Sequence, residues 1–170
     1  MRASGILMPV FSLPSRYGIG SFSKSAYQFV DMLKKAGQKY WQILPLCPTS
    51  YGDSPYQSFS TYAGNPYFID LDQLIEEKLL TRKECQACDF GDDPQDIDYG
   101  KLYENRFKLL RKAYERANVG EDQEFEAYRR ENAWWLDDYA LFMAVKDQFD
   151  GVAWNEWAED IRLRWENAMD

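Results

Sequence analysis

The sequence predicts an α/β fold. Three observations carry that prediction: two short apolar runs at residues 5–10 and 40–46, one amphipathic helix between them, and helical spacing through most of the chain beyond residue 72. Strand, helix, strand is a βαβ unit, and its two strands are expected to be parallel with a right-handed crossover.

Gly5 to Val10 (GILMPV) is apolar throughout, as a buried strand is, and Pro9 and Pro14 turn it early into the loop FSLPSRYGIGSF. Gly18-x-Gly20 is a weak phosphate-loop signal and a good pair of turn glycines. Ser23 or Ser25 can cap the next helix, whose Ala26, Phe29, Val30 and Leu33 recur on one face, and Gly37 suits a left-handed C-cap. Tyr40 to Leu46 is the second strand, apolar on both faces and therefore expected to be covered on both sides. YFIDLD fits a short extended segment, with Asp72 capping a helix that carries Leu74, Ile75 and Leu79. Thr81-x-x-Glu84 fits a capping box. The acidic stretch Asp89 to Asp98 lacks the spacing of a calcium loop and reads as a solvated linker. Three aromatic stripes follow at helical spacing. Leu102, Tyr103, Leu110, Ala113, Tyr114 and Ala117 mark the first, and Trp135, Leu136, Tyr139, Phe142, Met143 and Phe149 the second. Trp154, Trp157, Ile161 and Trp165 mark the third, and all three are expected to face a core.

The stretch that departs from both periods is Lys39 to Pro66. After its strand it becomes a long loop that sets Tyr51, Tyr56, Phe59 and Tyr62 among Ser, Thr, Asp, Gln and Asn. In α/β architectures ligands sit at the carboxyl ends of strands, where this loop begins, and aromatic faces beside amides and hydroxyls suit a sugar. Asp53 is the only acid in the loop and is read as a turn residue or hydrogen-bond anchor beside Gly52. Gln57, Ser60 and Asn65 are expected to brace the loop through side-chain bonds to backbone.

Composition narrows the chemistry. A net charge of −8 argues against nucleic acid or an anionic membrane as partner. Histidine is absent, which removes Ser-His and Cys-His pairs and the usual zinc sites. No metal or other cofactor is expected. Cys47, Cys85 and Cys88 are an odd number, and with no apolar run long enough for a signal or membrane span they suggest a reducing, cytoplasmic setting. Two parallel strands cannot make a covered sheet alone, and the last segment, RLRWENAMD, ends in mid-pattern. The chain is therefore expected to be the N-terminal piece of something longer, with the missing strands beyond Asp170.

A series of motifs in order then carries a resemblance: RASGILMPVFSLPSRYGIG, FVDMLKKAGQKYWQILPLCPT, YGDSPYQSFSTYAGNPYFIDLDQL, DYGKLYENRFKLLRKAY, WWLDDYALFMAVK and AWNEWAEDIRLR. Together they resemble the N-terminal region of glycoside hydrolase family 77, the 4-α-glucanotransferases or amylomaltases. The third motif is the most specific. The resemblance implies the N-terminal part of a (β/α)8 TIM barrel with a large helical insertion. Residues 1–72 would hold the first two β/α units with the substrate loop 47–66, and residues 73–170 the insertion. It also implies retaining transfer of α-1,4-glucan segments to a glucose or glucan acceptor, with α-1,4-glucans, maltooligosaccharides and the rest of its own barrel as partners. The catalytic carboxylates of the family lie on later strands, so none is expected within these 170 residues. What carries over is binding. Ser54 and Tyr56, in the S-P-Y motif, fall beside the donor sugar, and Tyr51 and Tyr103 fall where some members hold glucan at a second, remote site. A non-catalytic α-glucan-binding module and a purely structural helical domain remain the competing readings.

Overall fold

The computed structural model describes residues 2–169. Its described residues form a two-stranded sheet and a succession of helices, in two compact units, Met1–Asp122 and Gln123–Asp170.

The first unit opens with β1 (Gly5–Leu7), α1 (Lys24–Lys35) and β2 (Tyr40–Gln42). The strands pair in parallel, Gly5 opposite Tyr40, Ile6 opposite Trp41 and Leu7 opposite Gln42, as the βαβ spacing predicts. Bonds from Lys39 N–H to the Ser4 carbonyl (2.9 Å) and from Met8 N–H to the Gln42 carbonyl (3.0 Å) extend the ladder at either end. Both strands are shorter than the apolar runs that predict them. Pro9 and Pro45 have no N–H to give a ladder, and beyond Pro9 a 3-10 turn at Val10–Ser12 sinks Val10 into the core.

Coverage of the sheet on both faces is not found. On one side Phe29 of α1 meets Trp41 edge-on at 5.1 Å. Ile6, Leu7, Tyr40 and Ile43 are nevertheless exposed. One helix shields one face of a two-stranded sheet, whatever the hydrophobicity of the other. The caps of α1 follow the sequence: Ser23 Oγ accepts from Ser25 N–H (3.3 Å), and Gly37 stands at φ 72° beyond the last turn. Gly20 has a different task. A Cβ there would lie 2.2 Å from the Val10 carbonyl oxygen, so the glycine lets two backbone segments touch.

Helices α2 (Leu71–Glu76), α3 (Arg82–Gln86) and α4 (Tyr99–Arg116) complete the core that Val10 and Leu13 begin, with Leu71, Cys85, Leu102 and Leu109 almost wholly buried. The compact units therefore divide after Asp122, whereas a division by β/α repeat falls at residue 72. Asp70, in place of the expected Asp72, caps α2 by accepting from Asp72 N–H (3.2 Å). Asp72 turns its carboxylate to the Tyr17 hydroxyl, which donates at 2.7 Å. The capping box forms as predicted: Thr81 Oγ1 accepts from Glu84 N–H (3.2 Å), and Glu84 accepts from Thr81 N–H (2.9 Å). Arg116 then reaches across from α4 to both Glu84 oxygens, at 2.7 and 3.0 Å, holding that carboxyl well below its usual range.

The first aromatic stripe needs correcting. The buried face of α4 is Leu102, Arg106, Leu109 and Ala113, at i, i+4, i+7 and i+11, while Tyr103 and Tyr114 are exposed. The tyrosines neighbour the apolar line in sequence, but the core lies one residue step around the helix.

The second unit consists of α5 (Gln123–Gln148), a 3-10 turn at Trp154–Glu156, α6 (Glu159–Arg162) and α7 (Glu166–Met169). Asp150 at φ 51° and Gly151 at φ 78° stop α5, and Gly151 N–H returns to the Lys146 carbonyl at 2.8 Å. None of its described residues is fully buried. Phe142 and Phe149 pack on Trp157 at 5.3 and 6.0 Å, but Trp154 and Trp165 are exposed. The expectation that the whole third stripe faces a core is thus overturned among the described residues, where Phe142 and Phe149 take up Trp157 while Trp154 and Trp165 stay exposed.

Candidate functional site

Parallel pairing places the carboxyl ends of β1 and β2 on one side, and the long loop leaves β2 there. Its ends are pinned together. Asn65 N–H donates to the Leu46 carbonyl at 2.8 Å, and the Cys47 thiol points to the Thr61 carbonyl at 3.8 Å. Asn65 then caps the 3-10 turn Pro66–Phe68 by accepting from Tyr67 N–H at 2.9 Å.

Between these pins the loop is a chain of serine turns. Ser54 Oγ accepts from Tyr56 N–H (3.3 Å), and Ser58 Oγ accepts from Ser60 N–H (3.2 Å) while donating to the Ser60 carbonyl (2.7 Å). Ser60 Oγ in turn accepts from Tyr62 N–H (3.3 Å) and Ala63 N–H (3.1 Å). A hydroxyl two residues back substitutes for the hydrogen bonds a strand or helix would supply, so the loop holds a shape without a period. The expected braces Ser60 and Asn65 are among them; Gln57 is exposed.

This scaffold decides where the predicted residues point. Tyr56 is 72% exposed although its own amide is tied to Ser54, so the ring is presented rather than packed. Ser54 and Tyr56 share one turn, as a joint role requires. Tyr51 is 79% exposed at the next turn back, where Gly52 at φ 83° and Asp53 at φ 53° are both left-handed and Asp53 N–H bonds to the Ser50 carbonyl at 3.0 Å. Partial burial pushes the Asp53 carboxyl up from its ordinary value.

Tyr103 lies on α4 and is 64% exposed. Its ring meets Phe107 at 5.7 Å, Phe107 meets Tyr67 at 5.5 Å, and Tyr67 meets Tyr99 at 6.2 Å. The Tyr67 hydroxyl is pushed up to about 12, first by burial and then by the Asp53 carboxylate and the neighbouring tyrosines. Tyr103 therefore joins a cluster of rings on which the Asp53 carboxylate also acts electrostatically.

One residue that joins distant segments of the first unit escapes a reading by motif. Arg106 is almost fully buried and donates to the Tyr17 carbonyl (3.4 Å) and to the Ile69 carbonyl, joining the first loop, the segment before α2, and α4. Burial pulls its pKa down, opposed by the Asp70 carboxylate. The signal in the sequence was positional: Arg106 falls on the stripe of Leu102, Leu109 and Ala113. Cys85 is buried and Cys88 sits over the Glu84 carbonyl at 3.6 Å, with burial raising both thiols.

Comparison with known proteins agrees across the chain. The profile of glycoside hydrolase family 77, described as 4-alpha-glucanotransferase, matches residues 8–170. A 4-alpha-glucanotransferase of Clostridium butyricum is 55% identical over 92% of this chain and 32% of its own length. One of Thermus thermophilus is 46% identical over 99% of this chain and 33% of its own. Among solved structures, an amylomaltase from Streptococcus agalactiae in complex with acarbose superposes with a TM-score of 0.90 at 43% identity, over 99% of this chain and 34% of that one. The chain spans about a third of the length of the curated relatives it matches.

Proposed function

From the premise that this chain belongs to glycoside hydrolase family 77, the 4-alpha-glucanotransferases, we propose that its loop 47–66 forms one wall of the donor-sugar site of a longer 4-α-glucanotransferase. The fold is the α/β beginning of a (β/α)8 barrel carrying a helical insertion. One observation carries the reading: Tyr56 is presented to solvent by a serine-tied turn that follows the carboxyl end of a barrel strand.

In this reading the loop recognises and shelters, and the chemistry is supplied from later strands. One carboxylate attacks the anomeric carbon while a second protonates the departing glycosidic oxygen. The resulting glycosyl–enzyme ester is opened by an acceptor sugar hydroxyl, whose proton returns to the second carboxylate. Transfer prevails over hydrolysis when the acceptor is held and water kept out. The Tyr56 ring would cover the C–H face of a donor pyranose, with Ser54 close enough in the same turn to meet a hydroxyl. Tyr51 and Tyr103, both exposed, would hold a more distant stretch of glucan. The exposed apolar residues of β1 and β2 would be covered by the remaining barrel. A cytoplasmic location belongs to the same proposal and is supported by three free thiols; among the described residues no helix is long and apolar enough to cross a membrane.

Maltooligosaccharide transfer by the longer protein tests the reading. Tyr56→Ala is expected to lower the rate at least about tenfold, since stacking on a positioned sugar is worth on the order of 1–3 kcal/mol by analogy with base stacking. An unchanged rate removes Tyr56 from the site. Tyr51→Ala should spare short substrates and weaken long ones; equal loss on both would make its role structural. The chain by itself should not disproportionate maltotriose, and product from it would show that the carboxylates lie within it.

A further inference from the structure

The second unit contains a cleft of about 390 Å³ between α5 and the segment that follows it. Such a volume suits a small ligand, for which clefts run from roughly 300 to 1,000 Å³. Phe142, Trp154, Trp157, Asp138, Arg162 and Arg164 supply its aromatic and polar lining. Two features separate it from a gap between helices.

The first is the treatment of its aromatics. Trp157 is locked: its indole N–H donates to the Val152 carbonyl at 3.3 Å, and Phe142 and Phe149 tilt against it. Trp154, on the 3-10 turn beside it, is 58% exposed. An indole left in water next to a fixed aromatic floor offers a broad apolar face at little ordering cost.

The second is the polar edge. Asp138 on α5 and Arg164 form a 2.6 Å charge-assisted bond, both side chains largely exposed. Arg164 stands at φ 57° as the left-handed residue that closes α6, its own N–H returning to the Ile161 carbonyl at 3.1 Å and the Trp165 N–H to the Asp160 carbonyl at 2.9 Å. Arg162 is itself fixed on the Asn155 carbonyl at 3.1 Å. A carboxylate–guanidinium pair keeps acceptor lone pairs and N–H donors to spare, side by side, which is the pattern needed to meet two adjacent hydroxyls. A flat apolar face beside paired donors and acceptors is complementary to a pyranose.

We propose that this cleft is an auxiliary α-glucan-binding site, in which Trp154 stacks on a sugar ring and the Asp138–Arg164 pair binds its hydroxyls. The proposal rests on the glucan chemistry inferred for the loop, but it concerns other residues in the other compact unit.

Titration of the chain with maltoheptaose tests it, with the tryptophan indoles labelled with ¹⁵N and the Tyr56→Ala variant run in parallel. The Trp154 and Trp157 indole resonances are expected to shift in both chains. Trp154→Ala, and separately the conservative Asp138→Asn, should weaken the binding that the Trp157 resonance reports by about tenfold. Indole resonances that ignore maltoheptaose while Tyr56-dependent binding persists would overturn this site alone. Indoles that shift, together with a Tyr56→Ala variant of the longer protein that transfers at the unchanged rate, would support this site and overturn the loop reading. Iodide quenching of Trp154 fluorescence in the longer protein covers the remaining occupant: a shielded indole without glucan would mean that protein, not sugar, fills the cleft, and would overturn the proposal.

Discussion

Arg106 buries a guanidinium at the centre of an otherwise apolar helix face, and two backbone carbonyls depend on it. Its Nε finds no acceptor among the described residues, so the side chain carries a desolvation cost and is retained for what it joins. Tyr17, Ile69 and α4 come from distant parts of the sequence, and no strand or helix ladder connects them. Arg106→Met is expected to destabilise the chain by about 2–4 kcal/mol, because each carbonyl left buried and unpaired costs roughly 1–3 kcal/mol. The urea midpoint measures it; an unchanged midpoint would mean that water reaches both carbonyls, or that losing a buried charge offsets them. The exposed tyrosines pose the opposite case. Tyr51, Tyr56 and Tyr103 were legible as binding candidates by motif, but their exposure was not, because an aromatic at helical or strand spacing reads equally well as core. Tyr114 and Trp165 are reminders that the same spacing also places rings in water.

Among the elements, caps and turns were the most legible. The chemistry of a cap is local: Ser23, Gly37 and the Thr81–Glu84 box act within a few residues, so their sequence neighbours suffice. Asp70 displaced Asp72 as the cap of α2 because Asp72 found a distant partner in Tyr17, which no local pattern encodes. Thr81→Ala should cost about 1 kcal/mol, the usual size for an N-cap. Thermal unfolding checks it, and no loss of stability would show that the Arg116–Glu84 pair alone holds α3 to α4. The strands were right in order, direction and pairing but too long in expectation. Hydrophobicity marks which segments can be buried; proline and available neighbours decide how far a ladder runs.

At the scale of the whole chain, burial is uneven. Every fully buried described residue belongs to the first unit, and none to the second. Local stability follows buried apolar contact. Amides of α4 are therefore expected to exchange with solvent more slowly than those of α5, although α5 is the longer helix. Hydrogen exchange by mass spectrometry reads this directly, and equal protection would show that α5 draws its stability from elsewhere. Composition and spacing alone established an α/β start, a parallel βαβ unit and the boundaries of its helix, and singled out an aromatic loop without a period, because each depends on residues close in sequence or on the average character of a segment. Tertiary structure alone decided that the strands stop short at their prolines, that Arg106 ties three segments, that the serine turns present Tyr56, and that Trp154 and the Asp138–Arg164 pair line one cleft. Those outcomes turn on which distant side chains compete for the same interior, and a linear pattern carries no term for that competition.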